Sequence, residues 1–243
     1  TLFSEMQARK EKEYAIKKLE VEFKEAEILK NNRKKWNENL DGKYYTFTVT
    51  NSEGTNEVVD PYAKSAGLNG RRGMVVNFKK LNSEIEGWDS DVRPDYGTNG
   101  ADATISEIHV RDMTINPNSG VKEENRGKFL GLAETGTTYT EGMVTVKTGL
   151  DHLQELGVSH VQIQPMYDFS SVDESTLDTT MGEDNYNWGY DPLNYNVLEG
   201  SYSSNPCDGV VRIKEAKAMI MAMHKAGLNI NMDVVYNHTS GLQ

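Results

Sequence analysis

The spacing of apolar and polar positions divides the chain into segments of different character. Residues 1–35 carry Ile16, Leu19, Phe23 and Ala26 as a stripe at helical spacing, with Val21 and Ile28 outside it. The segment has no Gly or Pro, which predicts one charged helix. Residues 36–80 switch to alternation. Lys43 to Thr50 interleaves β-branched and aromatic residues, and Asn51-Ser-Glu-Gly54 turns the chain into Glu57-Val-Val59, predicting a β-hairpin. A Gly-rich turn from Gly67 to Gly73 then leads to an expected strand over Met74–Phe78. Residues 81–103, with Gly87-Trp88 and Arg93-Pro94, read as a linker.

From residue 104 the pattern alternates strand and helix. Thr104–Asp112 is an apolar-centred strand, and Lys128–Thr135 reads as a Gly-bearing loop. Lys147–Gly157 predicts a helix with Leu150, Leu153 and Leu156 and a Gly stop. Val158–Pro165 is the second strand, so strand, helix and strand make a parallel βαβ unit. The stretch from Met166 to Asp208 is a long polar excursion in which neither helix nor strand is expected. Arg212–Gly227 predicts an amphipathic helix whose methionines pack into a core. Its Gly end delivers the chain to a third strand, Asn229 to Val235.

Composition narrows the partners. Of the 243 residues, 37% are hydrophobic, and mean hydropathy is −0.65, as expected of a soluble protein. No apolar run approaches the roughly 18–20 residues of a membrane span, and no signal peptide is evident, which leaves cytoplasmic and secreted destinations equally open. Residues 1–35 carry ten Lys/Arg against seven Asp/Glu, whereas the whole chain has a net charge of −11. That balance argues against a nucleic-acid partner, because no basic surplus is left for phosphates. The single Cys207 excludes an intrachain disulfide and a Cys-based zinc site.

Two stretches carry candidate chemistry. The third strand contains Asp233, then Asn237 and His238 as it ends. A buried carboxylate costs roughly 3 kcal/mol or more unless paired, and residues at the C-terminal ends of parallel strands face the site in barrel enzymes. A structural Asp followed by an ordinary loop Asn and His is the alternative. The excursion contributes Tyr186-Asn-Trp188-Gly-Tyr190-Asp191-Pro192, which sets an aromatic face beside a carboxylate. A pyranose ring, with an apolar face and a fringe of hydroxyls, calls for that pair.

Asp233-Val-Val-Tyr-Asn237-His238 resembles the first signature region of the α-amylase superfamily of glycoside hydrolases, and Tyr-Asn-Trp-Gly-Tyr-Asp-Pro resembles the signature of its type I pullulanases. Gln164-Pro165-Met-Tyr-Asp168 and Leu193-Asn-Tyr-Asn-Val-Leu-Glu-Gly-Ser-Tyr are similar to the same group, and the likeness covers residues 36–243. It implies an α/β fold: a partial (β/α)8 TIM barrel over 104–243, preceded by the end of a β-sandwich starch-binding-like module over 36–80, whereas the linker 81–103 and the N-terminal helix over 1–35 are read from the residues alone. It implies an α-glucan partner and hydrolysis of α-1,6 branch links in pullulan, starch or glycogen. Tyr190 would stack on the sugar beside Trp188, Asp191 and His238 would bond its hydroxyls, and Asp233 would brace the site. No cofactor is required. Asn237 matches a position that binds calcium in many α-amylases, although pullulanases need not use it.

Hydrolysis with retention needs two carboxyl groups about 5–5.5 Å apart. The resemblance places them on a fourth and a fifth strand, beyond the third strand that ends this chain. The expectation is an N-terminal fragment, inert alone and missing the remainder of its own barrel as a partner. A non-catalytic glucan-binding protein, an interaction protein recruited through residues 1–35, and an isoamylase or branching enzyme are the alternatives.

Overall fold

The computed structural model describes residues 39–52, 54–97, 99–177 and 186–240. The chain divides into two units, 1–40 and 41–243. The helix expected over 1–35 lies outside the described residues.

The second unit begins with short antiparallel pieces. They are β1 (Tyr44–Tyr45), β2 (Phe47–Asn51), β3 (Gly54–Val58) and β4 (Gly73–Met74). The hairpin expected from the alternation is present, with Phe47 opposite Val58 and Asn51 opposite Gly54. The expected strand over Met74–Phe78 is not. β4 ends at Met74 after pairing with β1, and helix α1 (Phe78–Ser83) starts at Phe78. Asn77 decides this locally, because its side chain accepts the Lys80 N–H and caps the helix. Among the described residues this region forms two two-stranded pairings, β1 with β4 and β2 with β3.

After α1 the chain makes a 3-10 turn at Trp88–Ser90, and residues 84–91 are fastened. Lys214 pairs with Glu84 at 2.6 Å, His224 with Asp91 at 2.6 Å, and the Lys217 ammonium lies 4.0 Å from the centre of the Trp88 ring. The expected linker therefore runs along the helix over 209–225.

Strand β5 (Ile105–Ile108) opens the main sheet. The hairpin β6 (Thr138–Glu141) and β7 (Val144–Lys147) follows, then α2 (Gly149–Leu156) and β8 (His160–Ile163). Next come β9 (Tyr167–Phe169), β10 (Pro192–Leu198), α3 (Gly209–Lys225) and β11 (Asn229–Met232). Strands β5, β8 and β11 form a three-stranded parallel sheet in the order β11-β8-β5, with Ile108, Ile163 and Met232 in register. This is the sequential order in which a (β/α)8 barrel begins. The sheet is open.

α2 stops at Gly157, which takes the left-handed conformation (φ 74°), and α3 starts at Asp208, whose side chain accepts the Val210 N–H. Both helices return the chain to a neighbouring parallel strand, as a crossover requires. Leu150 and Leu153 are buried beneath α2, whereas Leu156 is 55% exposed. Met219 and Met223 of α3 are fully buried, worth roughly 1.5–3 kcal/mol each for removal from water. They join Ile108, Val161, Ile163, Phe129 and Leu132 in one core.

Two segments depart from expectation. Residues 128–135 contain a 3-10 turn, Phe129–Ala133, that buries Phe129 and Leu132 completely, so they are core and not loop. The excursion 166–208 contains β9 and β10, paired antiparallel across register shifts. No helix among the described residues is long and apolar enough to cross a membrane.

Candidate functional site

The β9–β10 pair sets one wall of a site at the C-terminal end of the parallel sheet. Phe169 lies opposite Pro192, which brings Ser170 and Ser171 against Asp191. Both serine hydroxyls donate to Asp191 Oδ2, Ser170 at 2.9 Å, while the Asn187 side-chain amide donates to Oδ1 at 2.6 Å. Asn187 is itself held. Its Oδ1 accepts the Gly189 N–H, and its carbonyl accepts from His109 Nε2 at 2.9 Å. His109 is buried and accepts the Asp112 N–H on Nδ1, so the neutral ring with its proton on Nε2 fits both contacts. Burial lowers the His109 pKa, which favours the same form. Gly189 (φ 90°) packs so tightly on the Pro165 carbonyl that a Cβ would collide with it.

The end of β11 closes the site from the other side. Asp233 N bonds the Ile163 carbonyl at 2.9 Å, continuing the ladder one residue past the strand. Its Oδ2 accepts the Tyr190 hydroxyl at 2.8 Å. His238 Nε2 donates to the Tyr190 carbonyl at 2.8 Å, and the His238 carbonyl accepts the Tyr195 hydroxyl at 2.6 Å. Partial burial and the bond to Asp233 push the Tyr190 hydroxyl up to about 12, so it stays a donor. Tyr190 and Trp188 remain 38% and 58% exposed. With Asp191, Asn187, Tyr186 and Ser171 they line an open pocket of about 600 Å³.

Beneath this wall lies a buried ionic cluster. The carboxylates of Asp168, Glu174 and Glu199 have oxygens within 4.8 Å of one another, and among the described residues Arg212 forms ion pairs with two of them, Asp168 and Glu174. Arg212 is fully buried. It lies 3.6 Å from Asp168 and 3.5 Å from Glu174 and donates to the Leu198 and Pro206 carbonyls at 2.8 Å. Three buried carboxylates exceed one guanidinium, so the cluster favours holding a proton. Burial raises Asp168 to about 7 despite Arg212, and burial together with the Asp168 and Glu174 charges raises Glu199 well above the carboxylate range. Glu199 is nevertheless seated by two backbone donors, Phe169 N and Ser201 N.

The chain matches the family model for the alpha amylase catalytic domain over residues 134–242. It is 40% identical over 200 residues to the pullulanase of Bacillus subtilis (strain 168), covering 82% of this chain and 25% of that protein. Pullulanase from Bacillus acidopullulyticus superposes with a TM-score of 0.74 at 45% identity, covering 84% of this chain and 23% of that one. Pullulanase from Paenibacillus barengoltzii, in complex with maltohexaose and alpha-cyclodextrin, gives 0.74 at 48% identity, covering 82% of this chain and 29% of that one. The chain belongs to the pullulanases of the α-amylase superfamily. It spans about a quarter or less of the length of the curated relatives it matches. Its three parallel strands are the partial TIM barrel of that fold.

Within this family frame, Tyr190, Asp191, Asp233 and His238 converge on one face, and Trp188 borders the same pocket. Asp191 is tied to Ser170, Ser171 and Asn187, short polar loop residues that carry no periodic signal in the sequence. Asn237 is exposed, and the acidic cluster includes no residue of the Asp233–His238 segment.

Proposed function

We propose that the chain supplies the sugar-holding wall of an α-glucan hydrolase that cuts α-1,6-glucosidic branch links in pullulan, starch or glycogen. The observation that carries this is the coupling of Tyr190 to Asp233 and His238, at a residue that stays partly exposed beside the pocket. A ring pinned at its hydroxyl and at its backbone offers a flat, pre-set platform for the apolar face of a pyranose. Trp188 extends the platform. His238 and the rim of Asp191 offer polar atoms to the hydroxyls, and Asp233 braces the ring.

The nucleophile and the general acid are not assigned to any residue here. In retaining hydrolysis they flank the bond about 5–5.5 Å apart, and Asp191 and Asp233 are already committed to bracing and binding. Residues 36–80 are proposed as the end of a starch-binding-like module. Calorimetric titration of the chain with maltotriose is the test, with binding expected and Tyr190→Ala abolishing it. A parent chain that ignores maltotriose overturns the reading. Release of reducing ends from pullulan by the purified chain overturns the assignment of binding without catalysis.

A further inference from the structure

The pocket at the wall is the first in a row of three adjoining depressions. A second cavity, about 400 Å³, shares Ser171 with it and adds Asn69, Arg71, Asp173 and Leu193. A third, about 710 Å³, shares Asn69, Arg71 and Leu193 with the second and continues to Glu57, Arg72 and Ser240. Through these common lining residues the three spaces adjoin one another, from Trp188 to the hairpin β2–β3.

The loop that overhangs the middle of this row is built with care. Asn69 (φ 55°) and Gly70 (φ 66°) are successive left-handed residues, a conformation that costs a non-glycine residue roughly 1–2 kcal/mol. The strain is held in place from below. Asn69 N donates to Glu174 Oε2 at 2.5 Å, Glu174 N donates to Asn69 Oδ1 at 2.7 Å, and Asn69 Nδ2 donates to Asp173 Oδ1 at 3.0 Å. The Gly70 carbonyl accepts from Asn194 at 2.9 Å, and Gly70 sits so close to the Asp168 carboxylate that a Cβ would collide with it. The result is that Arg71 stands exposed over the row on a fixed backbone.

We propose that this row is a second glucan site, holding glucose units of a linear α-glucan beyond those seated on the wall, with Arg71 as its principal hydrogen-bond donor. The inference rests on the α-glucan reading above. The chemistry selects a neutral polyol. Arg71 and Arg72 are matched by Asp173 and Glu57, so a phosphate would meet two carboxylates, whereas hydroxyls find donors and acceptors interleaved. Leu193 and Pro61 give the sugar faces an apolar floor.

The test is calorimetric titration of the full chain with maltooligosaccharides of increasing length. Affinity is expected to rise by about tenfold or more once the oligosaccharide outgrows the wall. Arg71→Ala, at an exposed position, is expected to leave the shortest ligand's affinity unchanged and abolish that rise, while Tyr190→Ala weakens every length. A parent chain that binds short oligosaccharides without gain in length overturns the second site alone, as does an Arg71→Ala variant that keeps the gain. Inorganic phosphate that binds the parent and is lost in Arg71→Ala overturns the assignment to a neutral sugar. No binding of any length overturns both readings.

Discussion

The Tyr190 hydroxyl reaches 2.8 Å across to Asp233, joining the loop before β10 to the end of β11. A residue of the long excursion is thereby tied to a residue of the parallel sheet 43 positions later. The bond fixes where the ring stands, and the His238 contact to the Tyr190 carbonyl fixes its backbone.

Tyr190→Phe is expected to keep the platform and lose its anchor. Stability should fall by about 0.5–1.5 kcal/mol, read from urea unfolding, while maltotriose still binds, more weakly. Tyr190→Ala should cost binding outright. Equal effects of Phe and Ala on binding would show that the ring face is not the platform.

Asn187 holds Asp191 through its amide, so Asn187→Asp replaces a donor with a second carboxylate. Destabilisation of about 1–3 kcal/mol is expected, with a parallel loss of glucan affinity. Unchanged affinity would show that the Asp191 orientation is immaterial to binding.

Arg212→Met keeps much of the side-chain volume and removes the cation that pairs with Asp168 and Glu174. Uncompensated buried charge costs roughly 3–5 kcal/mol, so the calorimetric Tm should drop steeply. Adding Asp168→Asn to that variant should recover part of the loss, because it removes a charge that then has no partner.

The same cluster sets a pH dependence. Asp168 is raised to about 7 and Glu199 is also raised, so the folded chain binds more protons than the unfolded chain above the ordinary carboxylate range. Stability from this source is full below the unfolded pKa values, near 4, and is lost as pH rises through the folded value of Asp168 at about 7. Urea midpoints should therefore decline between mildly acidic and mildly alkaline buffer, and Asp168→Asn should flatten the decline. A stability that rises over that range contradicts the assignment.

The parallel sheet and its helices were legible because β5, β8 and β11 are short apolar strands separated by helices with clear stops at Gly157 and Gly227. Leu156 is exposed for a geometric reason: six positions after Leu150 a helix has turned about 240° beyond a full turn, off the buried face. β10 was hidden because its pairing with β9 slips twice and Asn196 takes φ 61°, which breaks the period of two. Val75 and Val76 suggested a strand, but the Asn77 cap and the chain's return under Asp41 started a helix instead. Asp233 and His238 stood out as polar residues closing an apolar strand. The cluster around Arg212 did not, since Asp168, Glu174 and Glu199 come from separate segments that only the fold brings together.

The reciprocal bonds between Asn69 and Glu174 join the early β pieces to the barrel segment, and Ser65 and Tyr44 add bonds to the Gly209 and Cys207 carbonyls. The two regions are therefore not separable cassettes. A protease that nicks the backbone between 92 and 97 should leave two pieces that still migrate together and melt in a single transition, because the floor of one region is the roof of the other.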